Sequence, residues 1–292
     1  MYQERGMKRL GITIVADILI FALCGAFFAI GRLMFFSSAG NNEEDGIPLP
    51  VIMYHSVYSG TPGEYIVTPE QAEADMKWLK EHGYTAVSAA EVIAYTEGRG
   101  ELPEKPVMLT LDDGFYNVLS DYLPILERND MCAIVAIVGK YTDEAAPADP
   151  HVPSYSYLTW DDIKELNSSG RVEIASHTYD MHSLKGKRRG CVMNEGESEN
   201  DYRAALSADI GMLQNEVYIH TGSYPEVFAY PFGGISRPSI PVLKSCGIKM
   251  TLTCYEKPNI ITRDPDCLYG ICRYNRSGLY STEEFMAKLT EK

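Results

Sequence analysis

Short apolar segments recur along this chain, and polar residues do not occupy every second position within them. They are VIMYH from Val51, PVMLTL from Pro106, MCAIVAIVG from Met131, VEIAS from Val172, EVFAYP from Glu226, KMTLTC from Lys249 and LYGICRY from Leu268. A strand with this pattern is buried on both faces, which is typical of a parallel sheet covered by helices. The sequence therefore predicts a parallel sheet.

The segments between these strands carry apolar residues at helical spacing. They run over residues 69–82, 88–95, 118–128, 160–166, 198–218, 237–245 and 282–289. About seven strand–helix units favour closure of the sheet, and the predicted fold class is α/β, a distorted (β/α)7 barrel similar to a TIM barrel. In such barrels the reactive groups lie on loops that follow the carboxyl ends of the strands.

The N-terminal residues differ in composition from the rest of the chain. Residues 10–36 are largely apolar, and as a helix the run from Leu10 to Gly31 would extend roughly 33 Å, enough to cross a bilayer. Arg5, Lys8 and Arg9 precede this run and acidic residues follow it, which by the positive-inside rule places the N-terminus in the cytoplasm. A cleaved signal peptide is the alternative, but the apolar run is longer than the usual signal-peptide core.

These features predict four segments of the 292-residue chain. They are a cytoplasmic tail at 1–9, a transmembrane anchor at 10–36, a linker at 37–47 and a folded domain at 48–292. We expect a single-pass protein of the cell membrane with the folded domain outside the cytoplasm. The formal net charge of −14 argues against nucleic acid as a partner, because a polyanion would be repelled.

Several predicted strands end directly before titratable residues. His55, the pair Asp112 and Asp113, and His177 follow three different strands, and His182 lies five residues after His177. We expect these side chains at one edge of the sheet, provided that the chain turns between the two histidines. Aspartate with two histidines is a ligand set for zinc that leaves one position open. One of the two aspartates could bind the metal while the other reaches its water.

Three motifs, LTLDDG, ASHTYDMH and FAYPFGG, resemble those of the polysaccharide deacetylases, also called the NodB-homology domain or carbohydrate esterase family 4. The resemblance covers roughly residues 48–289. The five-residue spacing of the histidines and the YHSV around His55 are similar to the subgroup of poly-N-acetylglucosamine deacetylases.

The resemblance implies a role for each motif residue. Asp112 would be the general base, while Asp113, His177 and His182 would hold a divalent metal. We expect the metal to be zinc, although Co²⁺, Ni²⁺ and Fe²⁺ also accept this ligand set. The backbone amide of Phe232 would complete an oxyanion hole beside the metal.

The chain departs from the family pattern at the group that protonates the leaving amine. The usual acid is a histidine in a late Leu-x-His motif, whereas this chain has MTLTC there, with Cys254 near the expected place and no histidine after His220. His55 could protonate the amine, or Asp112 could act as both base and acid. The arginine that often opens the third motif is also absent from EVFAYPFGG.

The expected function is that of a metal-dependent hydrolase of linear amide bonds, which removes N-acetyl groups from a cell-surface N-acetylglucosamine polymer. The partner would be an N-acetylated polysaccharide, either peptidoglycan or an exopolysaccharide, and Tyr155 or Tyr157 could stack against its sugar rings. Two alternatives stay open. One is an O-acetyl glycan esterase, which needs no strong leaving-group acid, and the other is a non-catalytic glycan-binding protein that retains the metal.

Overall fold

A computed structural model describes residues 46–145, 151–186 and 188–290. The predicted cytoplasmic tail, the predicted anchor at 10–36 and most of the predicted linker lie outside these residues. Within the described ranges, no helix combines the length and the apolar character needed to cross a membrane.

Short strands alternate with helices along the described chain. The strands are β1 (Ile47–Pro48), β2 (Val51–Tyr54), β3 (Ser56–Val57), β4 (Ile66–Val67), β5 (Thr85–Ala86), β6 (Pro106–Leu111), β7 (Ala133–Ile137), β8 (Val172–Ser176), β9 (Val227–Ala229), β10 (Met250–Leu252), β11 (Ile260–Ile261), β12 (Tyr269–Ile271) and β13 (Tyr274–Asn275). The helices are α1 (Pro69–Glu81), α2 (Ala89–Thr96), α3 (Leu123–Asn129), α4 (Gly139–Glu144), α5 (Trp160–Ser168), α6 (Glu199–Thr221), α7 (Ser239–Ser245) and α8 (Thr282–Thr290).

The main sheet has the strand order β12-β10-β9-β8-β7-β6-β2-β13, with β5 paired to β6. All of these pairs are parallel. The two edge strands, β12 and β13, are separated in sequence by only Cys272 and Arg273, so one short segment pairs with both β10 and β2. The predicted α/β class with a parallel sheet is confirmed.

Strand β6 shows why the apolar runs lack polar alternation, because all six of its residues are buried. Leu109 packs in one apolar cluster with Met76 of α1. Its neighbour Met108 packs in a second cluster with Val227 of β9. The strand is therefore covered on both faces, as the sequence pattern indicates.

Two predicted elements are divided in the structure. Residues 118–128, predicted as one helix, form a π-helical turn at Val118–Tyr122 followed by α3. Pro124 lies in the first turn of α3, and because proline has no N–H it cannot continue the preceding hydrogen-bond pattern. The predicted strand LYGICRY is interrupted at Cys272, whose N–H and C=O bond instead to the side chain of Asn259 at 2.8 Å each.

A buried ion pair ties the segment after β13 to the first helix. Asp75 on α1 and Arg276 both have fully buried side chains, and Arg276 Nε donates to Asp75 Oδ2 at 2.7 Å. The Tyr54 hydroxyl and Thr282 Oγ1 donate to the same carboxylate at 2.9 and 2.7 Å. Asp75 therefore joins β2, α1, the segment after β13 and α8.

We expect Asp75→Ala to lower the free energy of unfolding by about 3–5 kcal/mol, because it leaves the Arg276 guanidinium buried and uncompensated. Chemical denaturation of the purified protein measures this loss. The matched control is Glu199→Ala, which breaks an exposed pair with Arg203 and should cost about 1 kcal/mol or less. Similar losses in the two variants would contradict the stabilising role of the buried pair.

Candidate active site

The chain turns sharply where β6 ends. Asp113 and Gly114 both have φ of 73°, in the left-handed region, directly after Leu111 and Asp112. This conformation is costly for a residue with a side chain, is tolerated best by Asp and Asn, and tends to occur at functional sites. Gly114 suits the turn for a further reason, since a Cβ there would lie only 3.1 Å from Ile137 Cγ2. The two neighbouring carboxylates consequently have different partners.

Asp113, His177 and His182 are brought together, with one potential ligand atom from each within 4.8 Å of the others. Asp113 Oδ1 lies 3.2 Å from His182 Nε2 and 3.6 Å from His177 Nε2. Thr178, directly after His177, has φ of 75°, so the chain turns between the two histidines. That turn is what their five-residue spacing requires for a shared site.

The hydrogen bonds of both histidine rings leave Nε2 directed at Asp113. His177 Nδ1 donates to the Ala229 carbonyl oxygen at 2.8 Å, and burial lowers the pKa of His177, which favours the neutral ring. His182 Nδ1 lies 3.3 Å from the Tyr141 hydroxyl, which itself donates to the His182 carbonyl at 3.1 Å. Two imidazoles with fixed Nδ1 partners and one carboxylate fit a divalent metal with an open position.

Asp112 has a different partner. Its carboxylate is buried and receives two hydrogen bonds of 2.7 Å from Nη1 and Nη2 of Arg273. Arg273 Nε in turn donates to the Thr253 carbonyl at 2.8 Å. Burial alone would raise the pKa of Asp112, but the Arg273 guanidinium outweighs it and holds that pKa well below its usual range. Asp112 is therefore an ionised carboxylate of fixed orientation.

Sequence reasoning missed Arg273, although a signal for it exists. The third motif, FAYPFGG, contains no arginine, and the guanidinium that binds Asp112 comes from the segment between β12 and β13. A charged residue in the middle of the apolar run LYGICRY must be buried, and a buried guanidinium requires an anionic partner. That pattern predicts an ion pair, but it does not say with which carboxylate.

His55 lies beside Asp112 at the edge of the sheet, because the Asp112 N–H donates to the Tyr54 carbonyl of the neighbouring strand at 3.1 Å. It interacts electrostatically with both Asp112 and Asp113. Its Nδ1 is buried and has no hydrogen-bond partner among the described residues. Its ring meets that of Tyr65 edge-on, with centroids 4.7 Å apart.

Phe232 borders the histidines from the turn after β9. It belongs to a short 3₁₀ turn, Pro231–Gly233, and adopts φ of 56° and ψ of 18°. Its ring centroid lies 4.5 Å from that of His182. The third motif therefore reaches the same edge of the sheet as the first two.

We compared the sequence and the structure with those of known proteins. The family model for polysaccharide deacetylases matches residues 99–251. The chain belongs to the polysaccharide deacetylase family. The matched span contains Asp112, Asp113, both histidines of the cluster and Phe232, whereas His55 and Arg273 lie outside it.

Three relatives of this polysaccharide deacetylase show how far the similarity extends. Poly-beta-1,6-N-acetyl-D-glucosamine N-deacetylase of Escherichia coli (strain K12) is 30% identical over 194 residues, which are 60% of this chain and 29% of that protein. The Staphylococcus aureus (strain MRSA252) protein of the same name is 24% identical over 193 residues, 66% of this chain and 62% of its own length. A solved de-N-acetylase from Aggregatibacter actinomycetemcomitans has a TM-score of 0.68 and 26% identity, covering 83% of this chain and 99% of that one. The chain thus spans less than a third of the E. coli protein.

Cys254, which the sequence places near the expected position of the late histidine, lies two residues after β10. Its Sγ lies 3.9 Å from Arg273 Nη2. Burial raises the pKa of the thiol, so the protonated form is favoured. Cys254 therefore borders the Asp112–Arg273 pair and is not one of the three clustered side chains, Asp113, His177 and His182.

Aromatic rings form one wall near the cluster. Tyr157 stacks on Phe115 with centroids 5.0 Å apart and lies 4.6 Å from the ring of Tyr141, which contacts His182. Tyr155, the other tyrosine considered for sugar stacking, is 59% exposed. Of the two, Tyr157 is joined to the site by ring contacts.

We expect the wild-type polysaccharide deacetylase to bind one equivalent of zinc and His177→Ala to bind it at least about a hundredfold more weakly. Calorimetric titration of chelator-treated protein measures the two affinities. The matched control is His220→Ala, since His220 stacks on Trp160 and is not in the cluster. Equal zinc affinity of wild type and His177→Ala would show that the cluster is not the metal site.

Proposed function

We propose that this polysaccharide deacetylase removes N-acetyl groups from a cell-surface N-acetylglucosamine polymer in a metal-dependent reaction. The proposal rests on one observation: two neighbouring carboxylates have different partners. Asp113 joins two histidines, whereas Asp112 is held by an arginine beside them. The names of the E. coli and S. aureus relatives support N-acetylglucosamine as the sugar. Peptidoglycan and an exopolysaccharide are the two candidate polymers.

The proposal includes the architecture around the site. We propose a (β/α)7 barrel in which residues 269–275 act as one strand between β10 and β2, supported by the pairing of β12 and β13 with those strands. We also propose that residues 10–36 anchor the protein in the cell membrane with the domain outside the cytoplasm. The apolar length of that segment and its flanking charges support this placement.

Asp113, His177 and His182 would hold the divalent metal. When bound, the metal would supply Lewis-acid activation of water and of the acetamide carbonyl. The Nδ1 bonds of the two histidines fix their rings, so that Nε2 of each is presented without rearrangement. Zinc fits this donor set, and Co²⁺, Ni²⁺ and Fe²⁺ are accepted by it as well.

Asp112 would accept the proton of the attacking water. Each of its oxygens already takes one N–H from Arg273 and retains a further lone pair for this purpose. The ion pair keeps the carboxylate ionised and oriented before the substrate arrives. The backbone N–H of Phe232 would donate to the oxyanion that develops on the former carbonyl oxygen.

His55 would give a proton to the leaving amine. A buried ring nitrogen without a partner beside both aspartates supports this role over a structural one, since buried polar atoms are normally hydrogen-bonded. The amine of the sugar is a poor leaving group unless it is protonated, and no histidine in the later part of the sequence could serve.

We expect His55→Gln to lower turnover of an N-acetyl substrate by about 10²–10⁴-fold, since it removes the general acid. Hydrolysis of an acetyl ester should fall much less, because an alkoxide leaving group depends less on protonation. Steady-state acetate release from both substrates measures the difference, with His220→Gln as the control. An equal loss on amide and ester would contradict the role of His55 as leaving-group acid.

The function itself is tested by acetate release from three substrates, with chelator-treated and zinc-loaded full-length protein. The substrates are N-acetylglucosamine oligomers, peptidoglycan and an O-acetylated glycan. Zinc-dependent release from the first or the second supports the proposal and names the polymer. Release from the ester alone would establish an O-acetyl esterase, the alternative favoured by the missing late histidine. No release from any substrate with zinc bound would contradict the proposal and favour a glycan-binding protein.

A further inference from the structure

The long helix α6 carries an aspartate on its buried face. This face is formed by Leu206, Asp209, Ile210, Leu213 and Val217, which recur at the three- and four-residue spacing of one helix side. Asp209 has only 7% of its surface exposed. Aspartate is rarely buried without a partner, and it is unfavourable in a helix interior. A buried carboxylate at an apolar position therefore has a partner outside the helix.

That partner is the loop between the two histidines of the metal cluster. The oxygens of Asp209 accept one backbone N–H each, Oδ1 from Tyr179 and Oδ2 from Asp180, both at 2.8 Å. Residues 177–183 belong to no helix or strand, so their backbone groups need partners from other elements. Burial raises the pKa of Asp209, whereas the two N–H groups lower it. The carboxylate thus bonds two successive N–H groups of the loop.

The carbonyl groups of the same loop bind α4. The Gly139 N–H donates to the Thr178 carbonyl at 3.1 Å, and the Lys140 N–H donates to the Tyr179 carbonyl at 2.9 Å. A Cβ at Gly139 would lie 2.5 Å from Tyr179 Cδ2, so the loop packs tightly against the first turn of α4. The loop is therefore bonded on both sides, through its N–H groups to α6 and through its C=O groups to α4.

The conformation fixed in this way is the one that a shared metal site requires. His177 and His182 can meet only because the chain turns between them, with Thr178 at φ of 75°. A left-handed residue with a β-branched side chain is costly and persists only where surrounding contacts impose it. Without the Asp209 bonds the loop loses two of those contacts. His182 Nε2 would then no longer be kept at 3.2 Å from Asp113 Oδ1.

We propose that Asp209 is a positioning residue for the metal site, which sets the affinity for the metal by fixing the loop between His177 and His182. The inference rests on the proposed metal-dependent function and deepens it, because it names a residue that acts on the site through the backbone. The alternative is that Asp209 only stabilises the fold. The two differ in one measurable quantity, the metal affinity of the folded protein.

The test is a calorimetric titration of zinc into chelator-treated wild type and Asp209→Asn. Asparagine has nearly the same shape, but its NH2 group cannot accept a hydrogen bond, so one N–H of the loop loses its partner. We expect Asp209→Asn to bind zinc about ten- to a hundredfold more weakly than the wild type, the usual effect of disturbing groups that orient metal ligands. Asp209→Glu keeps the carboxylate and should bind zinc more tightly than Asp209→Asn.

The matched control is Glu173→Gln. Glu173 is also a partly buried carboxylate that accepts two successive backbone N–H groups, those of Ala89 and Ala90 at 2.7 and 3.2 Å. Burial raises its pKa as well. It lies near the amino end of β8, whereas His177 follows the carboxyl end of that strand. We expect both Glu173→Gln and Asp209→Asn to lower the denaturant midpoint, and only Asp209→Asn to weaken zinc binding.

Each other outcome counts against the positioning role. Wild-type zinc affinity in folded Asp209→Asn, or an equal loss of affinity in Glu173→Gln, would overturn it. If Asp209→Asn does not fold, Asp209→Glu decides, because its longer side chain displaces the carboxylate and should still weaken zinc binding. Wild-type affinity in that variant would then overturn the role. A wild type that binds no zinc would overturn the proposed metal site and this inference together, whereas zinc binding without acetate release would contradict the proposed function alone.

Discussion

The buried ion pair between Arg273 and Asp112 connects the edge strands of the sheet to the candidate active site. Arg273 lies between β12 and β13, the two edge strands, which pair with β10 and β2, and Asp112 follows β6. Burial of two charges is unfavourable unless their geometry is good, and here both bonds are 2.7 Å with a further bond to the Thr253 carbonyl. The contact that fixes the candidate base is therefore also one that holds the last strand in place.

The three motif loops share one backbone feature. Asp113, Thr178 and Phe232 each adopt a left-handed conformation within three residues of the end of a strand. Successive side chains of a strand point to opposite faces, so neighbouring residues can serve one site only if the chain turns between them. The turns let Asp112 and Asp113 take different partners and bring His182 back beside His177. Conformational strain of this kind is expected where a site requires it.

The parallel sheet and the ligand cluster follow from local patterns in the sequence, and the remaining features depend on distant contacts. Unbroken apolar runs predict strands buried on both faces, and the residues after those runs are the ones that meet at the site. The sequence does not predict the pairing of Arg273, because its partner lies 161 residues away and no local pattern identifies it. The interruption of the last strand at Cys272 likewise depends on the Asn259 side chain, which belongs to another segment.

We propose that the two neighbouring carboxylates have separate tasks. Asp113 holds the metal, and Asp112 accepts the proton of the attacking water. Zinc content and acetate release measured together on Asp112→Asn and Asp113→Asn test it most directly. We predict that Asp112→Asn retains stoichiometric zinc and loses turnover, whereas Asp113→Asn loses zinc. Full turnover in zinc-loaded Asp112→Asn, or loss of zinc from Asp112→Asn with retention in Asp113→Asn, would contradict the account.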